Sequence, residues 1–157
     1  MGALRTAVLV AATGTAGLLG GLFYAYACSV MPGLRRTDDR TFVEAMRNIN
    51  VAILNGWFAL SFGGAPLLAI VAVVLFWGTG GPALWWIVAA VACHAVTLGV
   101  TGAVNVPLNN QLDAVGEPAD PGPVRVAFEA RWVRWNLVRT VASVAAFGCL
   151  LGALLHG

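Results

Sequence analysis

Lysine is absent from this sequence, and charge of either sign is scarce. Of the 157 residues only 10% are charged, against 59% hydrophobic. A water-soluble domain carries roughly 25% charged residues, so this chain lacks the means to cover a solvent-facing surface. Its nine basic side chains are all arginine, and the net charge is only +2. That excludes the dense basic face on which nucleic-acid binding depends. Arginine without lysine, beside abundant Ala, Val and Gly, fits a GC-rich bacterial genome. Metal ligands are sparse too. Cys28, Cys93 and Cys149 each lie in an apolar run and no two form a C-x-x-C, which argues against a redox dithiol or a thiolate zinc site. With two histidines, His94 and His156, at different depths, a haem shared between them is excluded, and no all-protein metal centre is expected.

Long apolar runs dominate what is there. No residue is charged between Arg5 and Arg35, between Arg47 and Asp113, or after Arg139. About 20 apolar residues cross a bilayer. The first gap holds one spanning helix, near residues 7–30. The second holds two, near 50–77 and 82–104, divided by the turn Gly78-Thr79-Gly80-Gly81-Pro82. The last gap holds one more, near 134–155. The expected fold is therefore an all-α membrane protein, a single four-helix transmembrane domain over residues 1–157. Ala25-Tyr26-Ala27 before Cys28 resembles a signal-peptide cleavage site, but the apolar stretch is too long for a signal sequence, and a span is the better reading.

Arginine orients the bundle. Arg35, Arg36, Arg40 and Arg47 lie in the first long loop, and Arg125, Arg131 and Arg134 in the second. The other side has only Arg5. The positive-inside rule places both long loops in the cytoplasm and both termini outside, in a bacterial cytoplasmic membrane. Trp57, Trp77, Trp85, Trp86, Trp132 and Trp135 fall near span ends, where amphipathic rings favour the headgroup level. Residues 40–50 form a helix leading into the second span, Pro66 kinks that span, and Pro118, Pro121 and Pro123 make the second loop irregular. Gly17 and Gly21 form a G-x-x-x-G face that admits a close helix partner, so a homo-oligomer is a possible state.

Polar groups inside a membrane are costly and mark sites. On the third span His94, Thr97, Thr101 and Asn105 recur every three or four residues and share one face. Asn109 and Asn110 follow Pro107. On the fourth, Trp132, Asn136, Arg139 or Thr140, and Ser143 do the same. The helix left after Arg139 is slightly shorter than a bilayer core, which sets Arg139 at or inside the cytoplasmic boundary. Asn48, Asn50 and Asn55 flank the start of the second span, and Tyr24 and Tyr26 end the first. The topology gathers these groups into a polar pocket with aromatic walls at the cytoplasmic end. Two blander readings stand beside it. Asn and Thr in membrane helices serve as interhelical glue, worth about 0.6 kcal/mol each, and Arg139 can snorkel to the headgroups.

Four motifs carry a family resemblance: Val30-Met31-Pro32-Gly33-Leu34, then Phe42 to Asn50 (FVEAMRNIN), then Val104 to Asn110 (VNVPLNN), then Trp132 with Trp135-Asn136-Leu137-Val138-Arg139-Thr140. Over nearly the whole chain, in order, the sequence resembles the small four-helix membrane family named for anthrone oxygenase. The resemblance implies oxidation of an electron-rich anthrone or phenol-type aromatic by O2 to a quinone, with O2 as co-substrate and no cofactor. Such chemistry needs a base, donors for an enolate oxygen and a dry aromatic pocket. The polar stripes then assign His94 as base and Asn105, Asn109, Asn136 and Arg139 as oxyanion holders. Tyr24, Trp132 and Trp135 stack the rings, and Asn48, Asn50, Asn55, Thr97 and Thr101 complete the substrate site. Two alternatives stay open. One is a non-catalytic protein that binds a quinone, lipid or partner protein. The other is a metal-dependent oxidase using His94. A proton-driven carrier is disfavoured because the membrane interior holds no acid.

Overall fold

A computed structural model describes residues 2–116 and 119–157. Pro118, expected to disorder the second loop, lies outside them. Four helices are long and apolar enough to cross a membrane: α1, Ala3–Leu34; α3, Gly56–Thr79; α4, Pro82–Ala114; and α5, Gly122–His156. A shorter amphipathic helix, α2 (Asp39–Ala52), lies between the first two. The spanning helices close a ring in the order α1, α3, α4, α5, with α5 packed extensively against both α4 and α1.

Small side chains let these helices approach. Ala12 and Ala16 of α1, Ala65, Ala69 and Ala72 of α3, Ala83 and Ala90 of α4, and Ala146 and Ala153 of α5 are all buried, at the spacings of inward helix faces. Of the Gly17 and Gly21 face, only Gly17 is covered within the chain, where it is joined by Gly20. A Cβ on Gly17 would stand 3.2 Å from the Phe147 ring, and one on Gly20 would stand 3.5 Å from the Ser143 backbone, both on α5. Gly21 faces open space.

The helices differ from the sequence reading at their arginine-rich ends. The second span does not begin at Asn50. α2 stops at Ala52, and Asn55 starts a new helix in extended backbone. Its Oδ1 accepts from the Phe58 amide at 3.0 Å, and its Nδ2 donates to the Ala52 carbonyl at 2.7 Å. One side chain thus caps the end of α2 and the start of α3. The fourth span begins twelve residues before Arg134, at Gly122, with Pro121 and Pro123 at its entry rather than in an irregular loop. Arg125 braces this extension. Its guanidinium pairs with Glu129 at 2.7 Å and Asp39 at 3.0 Å, and donates to the Thr37 and Arg35 carbonyls, so the α1–α2 turn is clamped to α5. α3 runs through Pro66.

Two turns of π-helix interrupt the bundle, Tyr26–Val30 in α1 and Thr101–Asn105 in α4. Each is followed two residues later by a proline, Pro32 or Pro107. Proline donates no N–H and crowds the carbonyl one turn back. The wide turns absorb that mismatch: the amide before each proline reaches five residues back, Met31 to the Tyr26 carbonyl and Val106 to the Thr101 carbonyl. Such turns re-phase the side chains on either side, and they concentrate at functional sites.

Candidate functional site

A cavity of about 350 Å³ opens beside both π-turns, within the range of roughly 300–1,000 Å³ typical of small-molecule sites. It lies between two apolar clusters. One holds Phe23 with the packed Phe58 and Phe62 in the bundle, and the other holds Trp132, Met46 and Phe42 at the arginine-rich end. Phe23, Tyr26, Phe58, Phe62 and Trp132 form its aromatic walls, and Leu22, Ile49, Ile53, Leu54 and Val106 add aliphatic surface. Asn50, Thr101, Asn105, Asn109, Asn110, Asp113 and Arg139 supply the polar groups.

Arg139 is the centre of the arrangement. It is 6% exposed, and among the described residues no carboxylate pairs with it. Its Nη2 donates to Asn136 Oδ1 at 2.8 Å and its Nη1 to Thr101 Oγ1 at 3.4 Å. The guanidinium lies over the Phe23 ring at 4.4 Å and the Trp132 ring at 5.3 Å, and these π-faces partly compensate its lost hydration. Asn136 is held in turn by the Phe23 carbonyl, to which its Nδ2 donates at 3.2 Å. Trp132 is fixed by its Nε1–H, which donates to Asn109 Oδ1 at 2.9 Å, and by the Tyr26 ring, whose centroid is 5.6 Å away.

Three residues that line this cavity each carry a buried polar atom with no hydrogen-bond partner: Arg139 Nε, Asn50 Nδ2 and Asn105 Oδ1. Two are donors and one is an acceptor. Buried polar groups are nearly always satisfied, and both ring nitrogens of His94, off the cavity, share this lack of a partner.

The structure gathers eight of the residues expected from the sequence around this cavity: Tyr26, Asn50, Thr101, Asn105, Asn109, Asn110, Trp132 and Arg139. Asn136 stands behind Arg139 and positions it. Others lie elsewhere. Tyr24 is exposed and Tyr26 takes its place. Asn55 spends its amide on helix caps. Asn48 is exposed and lines a separate polar groove with Glu44 and Arg47. Trp135 is half-buried beneath Arg134. Trp132 is buried in the bundle rather than placed at an interface. Thr97 bonds Ser143 at 3.2 Å as an interhelical contact. His94 is 1% exposed, with both ring nitrogens unpartnered, and does not line the cavity. Among the described residues, no three His, Cys, Asp or Glu side chains converge as a metal site. Sequence reasoning missed Phe23, Phe58, Phe62 and Asp113. The aromatic triplet is invisible against a background of apolar residues, whereas Asp113, the first acid after a long uncharged stretch, carried a signal.

The fold and the site together define an all-helical protein with four helices long and apolar enough to span a membrane and an aromatic-walled cavity beside a buried arginine. Residues 55–149 match the family model for anthrone oxygenase, and the chain belongs to that family. The match takes in Phe58, Phe62, Thr101, Asn105, Asn109, Trp132 and Arg139 of the pocket. Neither the comparison with curated proteins nor that with solved structures gave a match.

Proposed function

We infer that this protein is a membrane-embedded oxygenase that oxidises an electron-rich aromatic of the anthrone or phenol type to a quinone with O2, using no cofactor. The observation that carries the reading is Arg139, a buried cation that lines the cavity, packs against two aromatic rings and keeps an unpartnered Nε–H. Isolating a charge this way costs several kcal/mol, a cost that makes sense where negative charge develops on the ligand. The flat substrate lies between Phe23, Tyr26 and Trp132 on one side and Phe58 and Phe62 on the other, with its carbonyl oxygen toward Arg139 and Asn50. Loss of a proton from the activated C–H gives an enolate, which these donors stabilise more strongly than the neutral ketone. The carbanion form passes one electron to O2, and recombination gives a hydroperoxide. Loss of water then yields the quinone, so one oxygen atom of O2 ends in the product and the other in water. The arginine-rich end, and with it the pocket, faces the cytoplasm of a bacterial cell.

The test is oxygen consumption by detergent-purified protein given 9-anthrone, with and without a chelator. Uptake above autoxidation with anthraquinone formed and no chelator effect supports the reading. Uptake abolished by chelator assigns the reaction to a bound metal. A folded sample that binds hydroxyanthraquinone but takes up no oxygen makes the pocket a quinone-binding site without oxygenase chemistry.

A further inference from the structure

The oxidation begins with removal of a proton, and the pocket contains one group suited to take it. Among the described lining residues the titratable side chains are Tyr26, Asp113 and Arg139. Only an aspartate is ordinarily an anion, and hence a base, near neutral pH. His94, the base expected from the helical stripe, sits two turns before Thr101, about 10 Å deeper along α4, and lines no part of the cavity.

We propose that Asp113 is the proton acceptor of this pocket and passes the proton to water. The inference rests on the enolate reading above. Asp113 lines the cavity and also a second, open groove formed with Glu44, Arg47, Asn48 and Val51. It is the one titratable residue common to both. Three residues on, Arg47 Nη1 donates to the Gly116 carbonyl at 2.6 Å and ties the chain just beyond α4 to α2. The oxyanion donors Arg139 and Thr101 lie toward the bundle interior, and Asp113 lies three turns further along α4. Twelve residues, about 18 Å of helix, separate Thr101 from the exposed Asp113. A substrate whose carbonyl points inward to Arg139 therefore turns the opposite C–H toward Asp113 and reaches it through water. The C–H bond breaks, its proton goes to an Asp113 carboxylate oxygen, and its electron pair enters the ring system as the enolate held by Arg139. The proton then leaves through the groove, where Glu44 and Arg47 of α2 are the charged neighbours. Tyr26 of α1 and Arg139 of α5 are those on the pocket side, and α3 contributes none.

Proton removal can be read without oxygen. Under nitrogen in D2O, the wild-type protein is expected to exchange the methylene hydrogens of 9-anthrone faster than buffer does. Asp113→Asn loses about 100-fold or more of that rate while still binding hydroxyanthraquinone, and Asp113→Glu recovers part of it. In air, Asp113→Asn regains oxygen uptake at high pH, where anthrone ionises in solution and no base is needed. Wild-type exchange rates in Asp113→Asn overturn the proposal, as does a wild-type protein that catalyses no exchange. So does a loss confined to His94→Gln. Wild-type exchange that depends on Asp113 but is followed by no oxygen uptake refutes the oxygenase reading and leaves Asp113 as the base.

Discussion

Replacing Arg139 with methionine separates what the residue does for the fold from what it does for a bound oxyanion. The change keeps an unbranched side chain and removes the charge. Lost with it are the hydrogen bonds to Asn136 Oδ1 at 2.8 Å and Thr101 Oγ1 at 3.4 Å, and the stacking over Phe23 and Trp132. A hydrogen bond from a charged donor contributes about 1.5–3 kcal/mol, and each cation–π contact about 0.5–2 kcal/mol. Against these stands the several-kcal/mol cost of a buried charge with no anion. The two sides nearly cancel, and exchanging such a charge for an apolar group is often neutral or stabilising. Arg139→Met is thus expected to shift the midpoint of thermal unfolding in detergent by no more than about 5 °C in either direction, at roughly 2–4 °C per kcal/mol for a chain of this size. Removing one preorganised oxyanion donor costs about 100- to 1,000-fold in turnover, so oxygen uptake with 9-anthrone should fall by that factor in the same sample. Full turnover in a folded Arg139→Met protein refutes the oxyanion role. A fall in activity that tracks a large drop in the unfolding midpoint refutes the reasoning in another way, since Arg139 would then be holding the bundle together.

Trp132→Phe keeps the ring but deletes the Nε1–H donated to Asn109 at 2.9 Å; it should weaken hydroxyanthraquinone binding about tenfold, the equivalent of one hydrogen bond, as measured by absorbance titration. Asn55→Ala removes the cap shared by α2 and α3 and should cost about 1 kcal/mol, seen as a fall of a few degrees in the unfolding midpoint with kcat retained; a selective loss of kcat would restore Asn55 to the site. Gly17→Leu forces a branched side chain against Phe147, 3.2 Å from the position of the new Cβ, and should destabilise by about 1–3 kcal/mol, read by the same melt. The Asp38 carboxyl is held below its ordinary value, first by the Thr41 hydroxyl and then by the Thr41 amide that it caps. Its contribution to the α2 cap is therefore fully present above the usual carboxylate pKa of about 4. It fades as pH falls through the lower folded value. A carboxyl titration by NMR that puts Asp38 at or above the ordinary value would contradict this.

The four spans were legible because the bilayer imposes a harsh rule. A run of about 20 residues without charge has few other uses, and arginine marked where each run ended. The same rule hid what happens beyond the lipid. α5 continues back to Gly122 through Arg125, Glu129, Arg131 and Arg134, whose charges suit a helix in water and carry no hydropathy signal. The break between α2 and α3 was written in Asn55-Gly56, a turn dipeptide that an apolar run on both sides masked.

The site was legible in face but not in depth. Counting three and four residues along α4 joined Thr101 to Asn105, and along α5 it joined Trp132 to Asn136 and Arg139; all but Asn136 line the cavity. The same count extended the stripe to His94, because periodicity shows which residues share a side and not where along that side the helices part. They part next to the π-turns. There the helix phase shifts: Tyr24, expected to stack the rings, is exposed, and Tyr26, the first residue of the wide turn, stacks on Trp132. The cause lies two residues past each wide turn, in Pro32 and Pro107. A proline inside a membrane helix removes one hydrogen bond; α3 runs through Pro66 as regular α-helix, whereas α1 and α4 meet Pro32 and Pro107 with a change of register. Here the two prolines fall at the same end of α1 and α4, across the ring from each other, and residues of both irregular turns line one cavity. Replacing Pro107 with alanine restores the missing N–H and removes the need for the wide turn at Thr101–Asn105. The helix should then relax toward regular α-geometry and swing Asn105 and Thr101 off the cavity. The fold should gain stability while hydroxyanthraquinone binding and oxygen uptake both fall. A Pro107→Ala protein that is more stable and fully active would show that the π-turn is an accommodation of proline and nothing more.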